Sequence, residues 1–151
     1  MSLARKLGLS LIVAAALACH SDGVGPVSGF NYATARFQCG PADGPATEII
    51  VSASPLDSQG ALVPFVRIYV AVGVDELNGH IWSVSGSSPA AAWFHPVITG
   101  GQVPATEGTL TVTSVSADKS IDGSIDLSFP DAGRIRGEFH AVWVPSGAVC
   151  V

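Results

Sequence analysis

Strict alternation of apolar and polar residues in the last third of the chain is the feature that most constrains its fold. In segment 120–129, SIDGSIDLSF, an apolar residue or glycine occupies every second position, and serine or aspartate occupies the others. Segments 108–115 and 134–144 alternate in the same way, and the turn-forming sequence PDAG at 130–133 precedes the last of them. A period of two gives a strand one apolar and one polar face, so these segments predict antiparallel strands with one buried face.

Earlier parts of the chain carry the same signature in shorter form. The segments bounded by clusters of Gly, Pro, Asn and Asp are 30–39, 47–54, 62–73 and 80–86. The most apolar of them, 62–73, is expected in the centre of a sheet. Asn78-Gly79 predicts a tight turn with positive φ values before the strand at 80–86, and a short strand is expected near 92–97.

No segment after Cys19 sustains the apolar period of an amphipathic helix over three turns. Charged residues are sparse, whereas glycine, proline and β-branched residues are frequent, which favours strands and turns. We therefore predict one all-β domain over residues 30–151, an antiparallel β-sandwich or barrel-like fold built from short strands and hairpins.

The N-terminal residues have the composition of an export signal. Arg5 and Lys6 precede the apolar run LGLSLIVAAALA, which ends at Cys19. A membrane-spanning helix needs about 20 apolar residues, so this run is too short for a permanent span. A basic start, a short apolar stretch and small residues before a cleavage point are typical of a secretory signal peptide.

The sequence Ala16-Leu17-Ala18-Cys19 resembles the lipobox of bacterial lipoproteins, although Ala16 and Leu17 reverse the commoner order of that motif. The resemblance implies cleavage before Cys19 and acylation of this cysteine, which anchors the protein to a membrane through its N-terminal acyl chains. His20 follows in place of the aspartate that resembles an inner-membrane retention signal, which implies the outer membrane. The alternative is an ordinary signal peptide cut after Ala18. In either case 1–18 is the signal peptide, and the Gly/Pro-rich segment 19–29 is expected to be a flexible tether.

The C-terminal segment 108–144 resembles small uncharacterised all-β lipoprotein domains of bacteria. The resemblance lies in three segments, Gly108 to Thr113, Ile121 to Leu127 and Gly137 to Ala141. This resemblance implies an exported all-β domain in the cell envelope, and it brings no catalytic residues with it.

The cysteine count supports export. The chain has three cysteines, and a lipid on Cys19 leaves the pair Cys39 and Cys150 near the two ends of the predicted domain. An oxidising compartment permits a disulfide between them, which would place the first strand beside the chain end. The alternative is two free buried thiols.

The charge balance excludes one class of partner. The whole chain has a formal charge of −5, and removal of Arg5 and Lys6 with the signal leaves five basic residues against twelve acidic ones. Because no basic patch is available to neutralise phosphates, nucleic acid is not an expected partner.

Motifs for catalysis or metal binding are weak. Segment 118–129 can be aligned with a calcium loop through Asp118, Ser120, Asp122 and Asp126, but Phe129 stands where the bidentate glutamate is required, so the strand interpretation is preferred. The four histidines have no zinc-type spacing, and no G-x-S-x-G elbow occurs. The sequence leaves open a pair of carboxylates for glycoside hydrolysis, because such a pair is defined by its distance in the folded structure and not by spacing in the chain. We predict no metal, no cofactor and no enzymatic activity.

Aromatic residues give the remaining hypothesis. Trp82, Trp93 and His95 are candidates for a carbohydrate or small-ligand site, whereas Trp143 is expected in the core beside Phe139. The predicted role is therefore an envelope-anchored lipoprotein of structural or protein-interaction type, with envelope proteins or glycans as partners. A carbohydrate or small-ligand binding module is the alternative.

Overall fold

The computed structural model describes residues 29–55, 64–85, 89–96 and 101–150. The predicted signal peptide 1–18, its Cys19, and all of the predicted tether except Gly29 lie outside the described residues. No helix in these described ranges is long and apolar enough to cross a membrane.

Nine strands account for the regular structure in this part of the chain. Their bounds are β1 Tyr32–Cys39, β2 Pro45–Ser52, β3 Phe65–Val70, β4 Ile81–Ser83, β5 Ala90–His95, β6 Val103–Pro104, β7 Glu107–Val115, β8 Ile121–Phe129 and β9 Gly133–Trp143. Two single-turn 3-10 helices, Pro41–Asp43 and Val74–Glu76, lie in the connections after β1 and β3. The predicted all-β class is confirmed.

The strands form one sheet in the order β4-β7-β8-β9-β1-β2-β3-β5-β6, which curls into a half-barrel. A bridge between Val84, just after β4, and Ala90 of β5 joins the two flanks of the curled sheet. The barrel-like form of the predicted architecture is therefore the one present.

The sheet is mixed, whereas the sequence predicted antiparallel pairing throughout. The exception is the pair β1–β9, where Thr34 lies beside Val142 and Ala35 beside Trp143 in parallel register. The other strand pairs are antiparallel. The first and last strands thus join two antiparallel halves, and they do so running in the same direction.

The tight turn predicted at Asn78-Gly79 is present, but only one of its two residues has the expected positive φ. Gly79 has a φ of +72°, as a tight turn requires, but Asn78 does not have positive φ. β4 pairs with β7, while β3 lies between β2 and β5. A local turn signal therefore marks the chain reversal correctly without fixing which strand becomes the neighbour.

The alternating pattern of the last third is confirmed residue by residue. In β8 every odd-numbered position from Ile121 to Phe129 is buried, and the positions between them are partly exposed. The turn at 130–133 ends on Gly133, whose φ is +71°. The strand expected near 92–97 corresponds to β5, which begins and ends two residues earlier. The two-residue strand β6 was not predicted from the sequence.

The concave side of the sheet holds a single core. Its buried apolar side chains come from both halves of the sheet, and the largest are Ile49, Ile68, Leu77, Leu110, Ile121, Ile125 and Leu127. Trp143 packs against this cluster, as expected, and so does Trp82. Burial of this apolar surface is the main driving force for the curl of the sheet.

The predicted disulfide between Cys39 and Cys150 is present. The two Cα atoms are 5.4 Å apart, and the residues are separated by 111 positions in the chain. Cys39 is the last residue of β1, and Cys150 lies after the end of β9. Strands β1 and β9 are neighbours in the sheet. The expected adjacency of the first strand and the chain end is confirmed with it.

Gly123 is required by the packing of three strands. It lies opposite Phe139 of β9 and Val112 of β7. A Cβ atom at this position would be 2.3 Å from the Thr111 carbonyl oxygen and 3.0 Å from the Phe139 ring. The absence of a side chain therefore makes the space in which Phe139 packs across the strand pair.

We expect Gly123→Ala to lower the free energy of unfolding by about 2–3 kcal/mol, because the backbone oxygen cannot move without disturbing the β7–β8 ladder. Gly147→Ala is the matched control, since a Cβ there meets no atom within 4 Å. Urea unfolding of both variants measures the difference. Equal stability of the two variants would show that the strands accommodate the extra methyl group.

Candidate functional site

The three residues of the sequence hypothesis lie on two different faces of the sheet. Trp82 on β4 is the register partner of Leu110 and packs against the core, so it belongs to the concave side. Trp93 and His95 alternate with the buried Ala90 and Ala92 along β5, so their side chains lie on the convex side. The structure therefore brings Trp93 and His95 together and leaves Trp82 apart from them.

The convex face of β1, β2, β3 and β5 carries most of the polar and aromatic side chains around Trp93. We call this surface the Glu48 face. It comprises Arg36, Gln38, Glu48, Phe65, Arg67, Tyr69, Trp93 and His95.

Glu48 is the centre of this face. Its side chain is 0% exposed, while those of Arg36 and Arg67 are 33% and 39% exposed. The Nε atom of Arg36 donates to Oε2 of Glu48, and the Nε atom of Arg67 donates to Oε1. Gln38 adds a third donor, with its Nε2 atom 3.3 Å from Oε2. Three hydrogen-bond donors, two of them charged, compensate the buried carboxylate, which explains how a charged side chain is tolerated there without contact with water.

This burial was missed in the sequence. Segment 47–54 predicted one buried face with Ile49 and Val51, whereas every residue from Thr47 to Ser52 is buried. The sequence did contain a feature that could have indicated the ion cluster, because β1, β2 and β3 each contain a single charged residue. Register places those three residues, Arg36, Glu48 and Arg67, in adjacent strands, and only the strand order reveals it.

A groove of about 380 Å³ opens beside this ion cluster. It is lined by residues of β1, β3 and β5 and of the connections after β1 and before β6: Cys39, Gly40, Pro41, Arg67, Tyr69, Trp93 and Gln102. Tyr69 donates a hydrogen bond from its hydroxyl to the Cys39 carbonyl oxygen at 3.4 Å, and burial raises the pKa of that hydroxyl. The disulfide-bonded end of β1 is thereby linked to the groove.

His95 lies at the edge of the Glu48 face. Its ring stacks on Phe65 with centroids 4.2 Å apart and planes 12° from parallel. Burial lowers the pKa of His95, Arg67 lowers it further, and Glu48 opposes the shift. The imidazole is therefore neutral at pH 7, and its Nε2 atom is buried without a hydrogen-bond partner among the described residues.

A second polar cluster lies on the convex side of β7, β8 and β9. His140 donates from Nδ1 to Asp122 at 2.7 Å, and the Ser114 hydroxyl donates to the same carboxylate at 3.1 Å. The hydrogen bond from His140 holds the pKa of Asp122 below its usual value. Because Ser114 contacts the aspartate and not the histidine, the arrangement lacks the base–nucleophile contact of a hydrolytic triad.

The aspartates of the alternative calcium loop have other partners. Asp118 accepts hydrogen bonds from the Ser116 hydroxyl and the Ser120 amide, which lower its pKa to about 2 and fix the β7–β8 turn. Asp126 receives two hydrogen bonds from Arg134, each 2.5 Å long. The preferred strand interpretation of 120–129 is confirmed by β8.

The Glu48 face can bind a ligand through charge, hydrogen bonds and ring contacts. It combines two guanidinium groups, a neutral imidazole and a groove with aromatic walls, which is the composition of a small-molecule site. Within the described ranges, no group of three or more His, Cys, Asp or Glu side chains is arranged to hold a metal ion. The chain gives no significant match to protein-family models, to curated proteins or to solved structures.

Proposed function

We propose that this protein is an exported lipoprotein of the bacterial cell envelope, anchored to the outer membrane through acyl chains on Cys19. Its all-β domain then has a structural or protein-interaction role without catalysis. The observation that carries the proposal is the Cys39–Cys150 disulfide. It uses two of the three cysteines, and it belongs to an oxidising compartment such as the periplasm or the cell exterior.

The remaining cysteine supports the anchor. An odd cysteine in an exported protein requires an explanation, and the lipobox-like Ala16-Leu17-Ala18-Cys19 supplies one. One acyl chain holds a protein on a membrane only marginally, whereas two or more hold it stably. Acylation of both the thiol and the new N-terminal amine of Cys19 gives that second chain.

We expect Cys19→Ser to release the protein from the membrane fraction, because the variant has no thiol to acylate. Cys150→Ser is the control: it also removes one cysteine, but it leaves the anchor intact and the protein in the membrane fraction. Fractionation followed by mass spectrometry of the N-terminal peptide measures both effects. A soluble wild-type chain that begins at Cys19 without added acyl mass would refute the anchor.

A second candidate function is binding of a carbohydrate or small ligand. The observation that favours it is the groove in which the half-buried Trp93 lies beside Arg67, its register partner on β3. An aromatic ring offers apolar area to a ligand, and the guanidinium fixes its orientation. This candidate is compatible with the anchor, since a tethered domain can present a groove to envelope glycans.

A further inference from the structure

We infer that the groove on the Glu48 face binds a carboxylated sugar, such as a uronic acid residue of an acidic saccharide, with Arg67 pairing to the carboxylate and Trp93 stacking on the sugar ring. The inference rests on the second candidate function and names its ligand class. It does not depend on how the protein is anchored.

The first argument is the charge of the face. Strands β1, β2, β3, β5 and β6 contain two arginines and one acidic residue, Glu48, so these strands have a net charge of +1. Asp43 lies in the adjacent 3-10 helix, but among the described residues that line the groove itself only Arg67 is charged. His95 adds no charge at pH 7, because its pKa is lowered. The chain as a whole has a charge of −5, so a cationic patch departs from its average surface. A single excess positive charge complements a single carboxylate.

The second argument is the supply of free donors. A guanidinium has five N–H groups, and Arg36 and Arg67 each direct only the Nε–H group to Glu48. The terminal Nη groups of both arginines form no hydrogen bond with a described residue. Glu48 therefore holds each guanidinium in place. Arg67 also lines the groove, and its remaining N–H donors have the planar geometry that suits a carboxylate.

The third argument is the wall of the groove. Tyr69 and Trp93 provide aromatic area, and the Gln102 amide provides both a donor and an acceptor for sugar hydroxyls. The Tyr69 hydroxyl donates to Cys39 and so retains its lone pairs for a ligand donor. A volume of about 380 Å³ lies at the low end of the range for small-molecule sites, which suits a short saccharide.

Calorimetric titration of the full-length protein in detergent tests the inference. The probes are digalacturonate, its neutral counterpart galactobiose, and glucose 1-phosphate. We expect digalacturonate to bind at least about tenfold more tightly than galactobiose, because the neutral sugar leaves the Arg67 donors unpaired. The preference should weaken at high salt, since ionic strength screens the charge contact.

Two variant pairs locate the site. Arg67→Lys keeps the charge beside Glu48 but loses the planar fork, and Trp93→Leu removes the ring. Each should weaken digalacturonate binding about tenfold or more. The controls are Arg134→Lys, which changes an arginine–aspartate pair on the other half of the sheet, and Trp82→Leu on the concave side. Both controls should bind as the wild type does, and thermal unfolding of all four variants checks that each of them is folded.

Three outcomes would overturn the inference. Equal affinity for galactobiose would refute the acidic class and retain a sugar-binding function, and equal affinity for glucose 1-phosphate would show that any anion suffices. Binding of none of the three probes would refute this ligand class. Membrane anchoring through Cys19 is measured separately and is unaffected by any of these results.

Discussion

Reduction of the Cys39–Cys150 disulfide is expected to lower the free energy of unfolding by about 4–5 kcal/mol. The bond closes a loop over a sequence separation of 111, and in the chain-entropy account such a loop removes that much conformational freedom from the unfolded chain. For a domain of this size the thermal midpoint should fall by roughly 10–20 °C. The bond also links the end of β1 to the segment after β9. These two strands are the pair that joins the two halves of the sheet.

Thermal unfolding of the full-length protein, with and without reductant, measures this effect. The Cys39→Ser/Cys150→Ser double variant should show the same loss without reductant, and reductant should not change it further. Cys19→Ser is the control, because Cys19 is not part of the disulfide and its loss should leave the thermal midpoint unchanged. Recovery of two alkylatable thiols from Cys39 and Cys150 in oxidatively prepared protein would contradict the pairing.

Removal of the Glu48 carboxylate should have the second large effect. We expect Glu48→Gln to lower the free energy of unfolding by about 3 kcal/mol, since breaking a buried ion pair leaves uncompensated charge. The value lies at the low end for such pairs because Arg36 and Arg67 are each about one-third exposed and regain some hydration. The amide also presents an N–H group to one of the two Nε–H donors, which removes a hydrogen bond.

Urea unfolding measures the loss, and two further variants separate its causes. Glu138→Gln makes the same chemical change at an exposed position of β9, so its effect should stay within about 0.5 kcal/mol. The triple variant Arg36→Met/Glu48→Leu/Arg67→Met replaces the whole cluster by apolar side chains and should recover most of the lost stability. A Glu48→Gln variant as stable as the wild type would show that the carboxylate is dispensable to the fold.

Both the disulfide and the Glu48 ion cluster lie beside the groove. Cys39 contributes to its lining and accepts the Tyr69 hydrogen bond, while Glu48 holds the guanidinium of Arg67 at its side. Substitutions on this face would therefore change the stability of the fold as well as the proposed binding. A substitution such as Arg67→Lys is more informative about binding than Arg67→Ala, because it leaves the buried carboxylate paired.

Local patterns in the sequence identified most of the strands. The alternation in 120–129 matches the burial of β8 position by position, and PDAG matches the turn that ends at Gly133. A period of two is a property of neighbouring residues, so it can be recognised without knowledge of the partner strand. The pairing of Cys39 with Cys150 could likewise be predicted, because the proposed lipid on Cys19 would leave only these two cysteines to form a disulfide.

The sequence was least informative where residues distant in the chain meet. It suggested a site from Trp82, Trp93 and His95, yet Trp82 lies on the concave side and the other two on the convex side. It also missed the burial of Glu48, since a glutamate in a strand is ordinarily assigned to the solvated face. The arginines that donate hydrogen bonds to it are 12 and 19 residues away in the chain.

By itself, then, the sequence determined the all-β class, the positions of the turns and the inward face of the last three strands, because each follows from contacts between near neighbours. Tertiary structure alone decided the strand order, the parallel β1–β9 pair and the pairing of β4 with β7. Strand order depends on closing one core from two halves of the chain, and the free energy of that closure is distributed over many non-local contacts. Only this order places Arg36, Glu48 and Arg67 side by side, and with them the groove beside Trp93.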